Sequence, residues 1–386
     1  MRVLYVTYPW FLDFSIEYIK ELSKHVELHV LVVCPENRTS GTIFKLKRKI
    51  PFIKNKLYTL GDISDQIQDA PYFEEYIESC ASFLFSFSPE KWMSFKNIQY
   101  NLALYKYLKR LQIDLIHFDD ISIELIWLSF FIRKKKILID VHDPVAHTGE
   151  KNMRRNIIRK CYYGLANGFI TYSNFSARIF SENYHKKPSV LSLTPYTFYT
   201  KYEQTSEIQR EDYILFFGRI SAYKGIEKLI FAFRDLKKEF PNMKLLIAGK
   251  SVYNYRIPDA LHEVEGVIID DRFIPNDEMA NLIRGCRFVV CPYEDASQSG
   301  VVMTALAFGK KLVVSKVGGL FEPINYLNGV VYENTNSQHL TQAMKHMLVQ
   351  LESSLSGDKS VVSYKNTIKY NVVELIKIYE RIINVK

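Results

Sequence analysis

The sequence predicts an α/β protein with two Rossmann-like domains, each built on a parallel sheet. Its length of 386 residues exceeds the about 250 to 300 residues at which a single core stops growing. Short apolar runs alternate with helical patterns along the chain, which is typical of parallel strands joined by crossover helices. After a polar stretch, residues 194–212, the same pattern begins again. We therefore expect domains of residues 1–200 and 201–365 that face a central cleft.

In the first domain, six apolar runs predict strands, and helical patterns fit between them. The predicted strands are Arg2–Thr7, Glu27–Val33, Leu115–Phe118, Lys136–Val141, Gly168–Thr171 and Ser189–Leu193, and the clearest helices are Ser15–Lys24 and Tyr100–Leu111. Residues 50–97 fit neither period and predict an insertion or lid. The apolar run Ile121–Ile132 is shorter than the about 20 residues that a transmembrane helix needs, so it predicts a buried helix.

The second domain repeats the alternation in a more regular form. Its predicted strands are Tyr213–Phe217, Met243–Ala248, Gly266–Ile269, Phe288–Cys291 and Lys311–Ser315, and its predicted helices are Gly225–Phe240, Asp277–Gly285 and Val301–Phe308. The last segment, residues 366–386, has an amphipathic pattern over Tyr370–Asn384. We expect it to form a helix that packs back toward the first domain.

Charge and cysteine content narrow the class of protein. The net charge is +9, and its basic residues cluster in three runs: Arg38 with Lys45–Lys56, Arg133–Lys136, and Lys151–Lys160. Such runs favour an anionic membrane surface or a lipid-linked phosphate, with a solvated face as the plain alternative. The five cysteines show neither zinc-ligand nor disulfide spacing, and the chain enters a strand without a leader. We expect a cytoplasmic protein at the inner face of the membrane.

Three loops in the second domain have the composition of an anion-binding site. Gly218-Arg219 and Lys224-Gly225 lie between a strand and a helix, where glycines admit a ligand and cations meet phosphate. A small-residue loop with Ser297, Gln298, Ser299 and Gly300 also precedes a helix and can present backbone N–H groups. A Gly-Gly turn at residues 318–319 precedes Glu322. An exposed turn and an ordinary N-cap are the bland alternatives.

The order of these motifs resembles the donor domain of glycosyltransferase family 4, whose members are retaining enzymes of the GT-B fold. The resemblance rests on Gly218-Arg219, Lys224-Gly225, Ala248-Gly249-Lys250, Pro292-Tyr293, Ala305–Gly309 and Gly318–Glu322. It implies that Arg219 and Lys224 bind the diphosphate of a UDP- or GDP-sugar, and that residues near Phe273, Ile274 and Pro275 lie by the base. It also implies that no metal and no cofactor are needed, because the cations stabilise the leaving group.

One departure from that family concerns a pair of glutamates around the second loop. The family usually has two glutamates with seven residues between them, where this chain has Ala296 and Thr304. The chain instead resembles a bacterial subgroup with Ser-Gln-Ser-Gly in this loop. We expect the loop, Glu294 and Thr304 to contact the donor, with Glu294 or Asp295 as a partial substitute for the missing glutamates.

In the first domain, polar residues follow strands at positions where ligands collect in such folds. His142 and Asp143 follow one strand, and His147 lies four residues later. The subgroup resemblance implies that His142 faces donor sugar and acceptor, so His142 joins Arg219 and Lys224 as a predicted catalytic residue. Asp13, in the aromatic loop after the first strand, is a further acceptor candidate. His117, Asp119 and Asp120 form a weaker candidate group.

These observations predict a hexosyltransferase that acts in the synthesis of bacterial surface polysaccharide or glycoconjugate. The acceptor is a glycan or a lipid-linked saccharide, and the anomeric configuration is retained. A nucleotide-sugar epimerase or hydrolase of the same fold is one alternative, and a non-catalytic partner of a transferase is another. Nucleic-acid binding is not expected, because the basic runs lack an interleaved recognition motif.

Overall fold

A computed structural model describes residues 1–36, 41, 43–68, 70–89, 91–144, 153–202, 212–252, 254–325, 327–353 and 362–384. The chain forms two compact units. Unit 1 comprises Met1–Leu191 and Ile368–Lys386, and unit 2 comprises Ser192–Thr367. Each unit is an α/β fold of the Rossmann type, as the alternating pattern predicts.

Unit 1 contains nine strands and seven helices in the described chain before Leu191. The strands are β1 (Arg2–Thr7), β2 (Glu27–Pro35), β3 (Lys45–Leu46), β4 (Ile67–Gln68), β5 (Ser82–Ser88), β6 (Leu115–Phe118), β7 (Lys136–Asp140), β8 (Gly168–Thr171) and β9 (Ser189–Val190). The helices are α1 (Leu12–Leu22), α2 (Leu60–Ile63), α3 (Glu74–Ile77), α4 (Phe95–Leu111), α5 (Leu128–Phe131), α6 (Met153–Tyr163) and α7 (Asn174–Tyr184).

The main sheet of unit 1 has seven strands in the order β5-β2-β1-β6-β7-β8-β9, and its described pairings are parallel. The chain starts in the middle of the sheet, proceeds through β2 to β5 at one edge, and returns to the other side of β1 through β6. Loops after β1 and β6 therefore diverge at the carboxyl edge, which leaves room for a ligand there.

Unit 2 has a six-stranded sheet with the same kind of reversal, in the order β12-β11-β10-β13-β14-β15. Its strands are β10 (Tyr213–Phe217), β11 (Lys244–Ala248), β12 (Val267–Asp270), β13 (Phe288–Cys291), β14 (Leu312–Ser315) and β15 (Gly329–Tyr332). Its helices are α8 (Ile226–Leu236), α9 (Asp259–His262), α10 (Asn276–Gly285), α11 (Gly300–Ala307) and α12 (Ser337–Ser353). The five strands predicted for this unit are confirmed, with ends that differ by at most one residue.

Apolar spacing explains how the helices cover these sheets. In α8 the buried residues Ile226, Leu229, Ile230, Phe233 and Leu236 recur at intervals of three and four, which places them on one helical face. The strands of both sheets are buried on both sides over most of their length, as expected for parallel sheets covered by helices.

The last helix, α13 (Val362–Asn384), joins unit 1 from Ile368 onward. The Tyr379 hydroxyl lies 2.6 Å from Nδ1 of His117 on β6, and Asn371 donates to the Tyr18 hydroxyl at 2.6 Å. All four residues are buried. These hydrogen bonds connect the end of the chain to strands and helices near its beginning.

Two predictions for unit 1 are wrong. Residues 50–97 are not wholly an insertion, because Ser82–Ser88 forms the edge strand β5 and pairs with β2 over seven positions. The run Ile121–Ile132 is not one buried helix: it forms a 3₁₀ turn at Ile123–Leu125 and one helical turn at Leu128–Phe131, with Phe130 exposed. Both errors arise because aromatic runs bury in strands and turns as readily as in helices.

No helix in the described part of the chain combines the length and the apolar character needed to cross a membrane. The apolar helix α11 has only eight residues.

The buried contact between α13 and β6 leads to a stability prediction. Tyr379→Phe removes the hydroxyl that faces His117 and leaves a buried ring nitrogen without that partner, so we expect a loss of about 1 to 3 kcal/mol in unfolding free energy. Tyr370→Phe is the matched control, because Tyr370 lies on the same helix but is exposed. Urea titration followed by circular dichroism measures both. Equal midpoints for the two variants would contradict a structural role for this hydrogen bond.

Candidate functional site

The strand-order reversal in unit 2 lies between β10 and β13, and the loops after these two strands contain most of the predicted donor-binding residues. The first loop is residues 218–225, and the second is residues 292–299. The loops contact each other directly, because the Glu294 backbone N–H donates to the Tyr223 carbonyl at 2.8 Å. A reversal point in a parallel sheet is where such folds bind ligands, so the predicted residues lie at the expected place.

Two glycines are needed for this loop packing. A Cβ atom on Gly225, which has φ of 67°, would lie 2.0 Å from the Pro292 carbonyl oxygen. A Cβ atom on Gly249 would lie 1.8 Å from the carbonyl oxygen of Gly218. No side chain fits at either distance, so glycine allows three loop backbones to approach one another at the carboxyl edge.

The two predicted cations in the first loop have different surroundings. Arg219 is exposed. Lys224 is only 8% exposed, and its Nζ lies 3.5 Å from the centre of the Tyr293 ring and 5.0 Å from that of Tyr223. An ammonium group over two aromatic faces is attracted by their quadrupoles. The tyrosine rings thus hold a positive charge at the base of the loop pair.

Tyr293 is a residue of the site that the sequence did not single out beyond its place in a motif. Its ring is fully buried, and its carbonyl accepts hydrogen bonds from Ser315 at 2.6 Å and Asn334 at 3.0 Å. Burial raises the pKa of its hydroxyl well above the ordinary value, so the ring stays neutral and can face Lys224.

The second loop leads into helix α11. Ser299 is the N-cap, and its side chain accepts a hydrogen bond from Val302 N–H at 3.4 Å. Ser297 and Ser299 are buried, whereas Gln298 and Gly300 are partly exposed. The first turn of a helix has backbone N–H groups without intrahelical acceptors and a favourable dipole for an anion. The small residues of the loop therefore allow an anion to approach the backbone N–H groups at the start of α11.

Thr304 and Glu294, the predicted neighbours of this loop, are both engaged. The Thr304 hydroxyl donates to the Gly300 carbonyl at 2.8 Å within the helix. Glu294 forms an ion pair with Lys228 at 2.6 Å and accepts from the Asn334 amide at 3.0 Å. Ala296, at the first family glutamate position, is buried, and its carbonyl accepts from Gly319 N–H at 3.0 Å. The Gly-Gly turn therefore packs on the second loop, while Glu322 is exposed.

Beside the first loop, unit 2 has an open cavity of about 540 Å³. Its walls come from the loops after β11 and β12, including Lys250, Ser251, Tyr255, Ile269 and Asp271. The wall is joined to the first loop by backbone hydrogen bonds from Ile220 to Lys250 and from Val252 to Ile220, both 3.0 Å.

The two residues predicted to lie near the base follow Asp271 in the chain. Phe273 is 51% exposed, and Ile274 is buried.

Unit 1 also has polar groups at its strand-order reversal, between β1 and β6. Thr7 at the end of β1 donates to Asp119 at 2.6 Å, just after β6. The same carboxylate is 3.0 Å from Nε2 of His142, which follows β7. All three side chains are buried. The predicted catalytic histidine and the weaker candidate Asp119 are thus direct partners.

A second buried histidine–aspartate pair lies next to the first. Nε2 of His117 on β6 is 2.8 Å from Asp140 at the end of β7, and the Tyr172 hydroxyl donates to the other oxygen of Asp140 at 2.6 Å. With Tyr379 on the other ring nitrogen of His117, each of these buried polar groups has a partner. The requirement to satisfy buried polar groups fixes the two histidine rings.

His142 is enclosed by aromatic rings as well as by carboxylates. Its ring stacks on Phe11 with centroids 4.2 Å apart and on Tyr172 at 5.5 Å, and Phe14 meets it edge-on at 5.0 Å. Burial lowers the pKa of His142, but the hydrogen bond to Asp119 and the charges of Asp119, Asp140 and Asp120 outweigh it and raise the pKa to about 9. The ring is therefore an imidazolium at neutral pH.

The segment after His142 is held by Arg159 on α6. This guanidinium is buried and donates to the carbonyls of Asp143 and Pro144, the latter at 3.0 Å, and to the Tyr184 hydroxyl at 3.3 Å. The sequence placed Arg159 in a membrane-facing basic run, and that prediction is wrong. The side chain instead satisfies backbone carbonyls that a buried turn would otherwise leave unpaired.

Of the other predicted acceptor residues, Asp13 lies in the first turn of α1, where its carboxylate accepts from Phe14 N–H at 3.0 Å. Asp143 is partly exposed. His147 lies outside the described residues, as do the side chains of Lys151, Arg154 and Arg155 in the third basic run.

Among the described residues, Asp119, Asp140 and His142 have one ligand-type atom each within 4.8 Å of one another, a spacing that a metal ion can use. The imidazole of His142 is already engaged, because its ring stacks on Phe11 and Tyr172. Its Nε2 also faces Asp119, and Asp140 is bonded to His117 and Tyr172. The donor set fits an ion-paired network better than a metal centre.

Comparison with known proteins matches part of the chain to a family of enzymes. Residues 199–355 match the family model described as glycosyl transferases group 1. An uncharacterized glycosyltransferase of Methanocaldococcus jannaschii is 28% identical over 174 residues, which is 44% of this chain and 48% of that protein. The lipopolysaccharide 1,2-N-acetylglucosaminetransferase of Salmonella typhimurium is 29% identical over 141 residues, 34% of this chain and 35% of that protein. The chain thus spans about half or less of the curated relatives it matches.

Solved structures resemble the whole chain at low sequence identity. A glycosyltransferase from Rickettsia africae has a TM-score of 0.65 at 16% identity, covering 100% of this chain and 99% of that one. Anabaena HepE, solved in complex with UDP-glucose, has a TM-score of 0.65 at 15% identity, covering 98% and 100%. The UDP-GlcNAc 2-epimerase of Neisseria meningitidis, bound to UDP-GlcNAc, reaches 0.55 at 12% identity, covering 98% and 99%. The fold is therefore GT-B.

The Asp119–His142 pair leads to a titration prediction. Asp119→Asn removes the hydrogen bond and the charge that raise the pKa of His142 most, so this pKa falls from about 9. Asp120→Asn is the control, because Asp120 makes the smallest named contribution. Imidazole NMR shifts followed from about pH 5 to about pH 10 measure both variants.

The same pair makes stability depend on pH with a defined sign. The folded pKa of His142 is raised, so the stabilisation is complete below about 6.5 and is lost as pH rises through about 9. If His142 titrates near 6.5 in the parent protein, the buried ion pair is refuted.

Proposed function

We propose that this protein is a glycosyltransferase that moves a sugar from a nucleotide diphosphate sugar, with UDP or GDP as carrier, to a glycan or lipid-linked acceptor. The observation that supports it most is the loop pair at the β10–β13 reversal, where Arg219, Lys224 and the start of α11 lie together. The match of residues 199–355 to group 1 glycosyl transferases agrees with this assignment.

The diphosphate is the part of the donor that this loop pair suits best. Arg219 is exposed and can form paired hydrogen bonds to phosphate oxygens, whereas the buried Lys224 supplies a fixed charge. Ser299 and Gly300 form the start of α11, whose first backbone N–H groups can donate to the same diphosphate. Negative charge on the diphosphate grows as its bond to the sugar breaks, so these groups stabilise the transition state more than the bound donor.

The nucleoside belongs, in this proposal, in the 540 Å³ cavity beside the first loop. Ser251 donates to the Asp271 carboxylate at 2.5 Å, and the Ser251 backbone N–H donates to it at 2.9 Å. Lone pairs of this carboxylate can still accept a ribose hydroxyl. The exposed ring of Phe273 and the buried Ile274 lie close in sequence to this wall and offer apolar contact to a base.

Transfer proceeds with retention in this proposal, by attack of the acceptor on the same face that the leaving group departs from. The acceptor hydroxyl oxygen forms a bond to the anomeric carbon, the bond from that carbon to the phosphate oxygen breaks, and the hydroxyl proton goes to the departing phosphate. His142 is not the base in this scheme, because its raised pKa keeps it protonated. It supplies positive charge and a positioned ring, while Asp13 and Asp143 offer carboxylates for acceptor hydroxyls.

Hexosyl transfer in the synthesis of surface polysaccharide is the narrower form of the proposal. The Salmonella relative is named as a lipopolysaccharide acetylglucosaminetransferase, and the same class of acceptor suits a chain rich in exposed basic residues. No metal is required in this scheme, because Arg219 and Lys224 take the place of a divalent cation at the diphosphate.

Donor binding gives a direct prediction for the two cations. Lys224→Met keeps most of the side-chain volume but removes the charge, and Arg219→Ala removes the guanidinium group. We expect each to weaken UDP or GDP binding at least tenfold, about 1.4 kcal/mol. Lys244→Met is the control, because Lys244 is an exposed lysine at the opposite end of β11. Calorimetry measures all three, and equal affinity in every variant would contradict the site.

Product stereochemistry tests the reaction course. With a donor of α configuration at the anomeric carbon, we expect an α-linked product, read from the anomeric coupling constant by NMR. A β-linked product would contradict same-face attack while leaving donor binding intact. Sugar release or epimerisation without acceptor would instead favour an epimerase or hydrolase, and tight donor binding without turnover would favour a non-catalytic partner.

A further inference from the structure

Unit 1 exposes a group of large apolar side chains around the start of α4. Met93 and Phe95 are each 71% exposed, more than the other exposed large apolar side chains of the described chain, and Phe130 on α5 is 49% exposed. Burying such side chains is the main source of favourable free energy in folding and association. Three such side chains exposed in one region therefore indicate a surface that binds a partner when the protein functions.

Contacts show that these side chains belong to one surface. The Trp127 indole N–H donates to the Trp92 carbonyl at 3.1 Å, and its ring centre lies 5.9 Å from that of Phe130. Met93 follows Trp92 in the chain, and Phe95 begins α4 three residues after Trp92. We call the set Trp92, Met93, Phe95, Trp127 and Phe130 the Phe95 surface.

The two segments that form the Phe95 surface carry charges of one sign. Residues 91–111 and 125–139 contain no aspartate or glutamate. Their exposed basic side chains are Lys91, Lys96, Lys106, Lys109, Arg110, Arg133 and Lys134. On α4, Phe95, Leu102, Lys106 and Lys109 fall on one exposed face, because they are spaced by three, four or seven residues. The N-terminal part of that face is apolar, and the C-terminal part is basic.

Aromatic and apolar side chains on segments whose charged residues are all basic match the interface of an anionic bilayer. Tryptophan and phenylalanine are favoured where acyl chains meet head groups, and lysine and arginine are attracted to anionic lipid. A protein partner with a matching apolar and acidic patch is the competing occupant. The continuous absence of acidic groups over two separate segments favours the uniformly negative lipid surface.

We propose that unit 1 binds anionic membranes by inserting the Phe95 surface, with Lys91, Lys96, Arg133 and Lys134 contacting lipid phosphates. This surface differs from the basic run Lys45–Lys56 that the sequence indicated. Docking here does not depend on the proposed transferase activity, so each can fail without the other. If both hold, the surface brings the enzyme to lipid-linked acceptors.

Vesicle flotation tests the apolar part of the proposal. The full-length chain is mixed with vesicles of phosphatidylcholine alone or with about one third phosphatidylglycerol, and we expect binding only to the anionic vesicles. The triple variant Met93→Ser, Phe95→Ser, Phe130→Ser should bind at least tenfold less. The matched control is Phe231→Ser, Leu327→Ser, Val349→Ser, which changes three exposed apolar residues of unit 2 and should bind like the parent.

A second pair of variants separates the two basic regions. Changing Lys91, Lys96, Arg133 and Lys134 to glutamine should reduce binding at least tenfold, and changing Lys45, Lys47, Arg48 and Lys49 to glutamine should reduce it less. Thermal unfolding of each variant shows whether it is folded.

Tryptophan emission supplies a readout that does not depend on stability. In a Trp10→Phe background the remaining tryptophans are Trp92 and Trp127, and brominated anionic lipid should quench their emission. Equal flotation of parent and triple serine variant, or emission that brominated lipid leaves unchanged, would overturn the proposal. So would lipid-free self-association that the triple variant abolishes, because the surface would then bind a second copy of the chain.

Discussion

The reversal of strand order in each parallel sheet is the constraint on which the rest of the structure depends. In unit 1 the chain begins in the centre with β1, and in unit 2 it begins again in the centre with β10. The loops that follow the strands on either side of that point diverge, which leaves a space at the carboxyl edge of the sheet. Backbone donors and side chains can line this space. The polar network of unit 1 and the loop pair of unit 2 occupy equivalent positions for this reason.

The same position is filled by different chemistry in the two units. In unit 2 glycines bring three backbones together and Lys224 rests on Tyr293, which leaves a positive, donor-rich edge. In unit 1 the edge is lined by two histidine–aspartate pairs whose members are buried and bonded to each other. Buried hydrogen-bonded pairs of this kind fix the positions of their side chains. The first edge suits an anion, and the second fixes the orientation of the groups around it.

Much of the fold could be predicted from the sequence because parallel strands are apolar runs with clear ends. The site loops of unit 2 were predictable for a related reason, since glycine, arginine and lysine next to a helix start are visible locally. The edge strand β5 was missed, although its sequence SFLFSFS places phenylalanine at every second position, because the residues around it have no regular period. The pairing of His117 with Tyr379 joins residues 262 positions apart, which no local pattern reports. Arg159 was misassigned because its direction on α6 depends on carbonyls elsewhere in the fold.

The central claim is that a nucleotide diphosphate sugar binds at the β10–β13 reversal. Amide hydrogen exchange followed by mass spectrometry, with and without saturating UDP- or GDP-sugar, tests it most directly. We expect slower exchange in residues 218–225 and 299–303 and in the cavity wall at residues 250–252, and unchanged exchange in the amino-edge residues that begin β11. Saturable binding with protection elsewhere and none in these segments would contradict it.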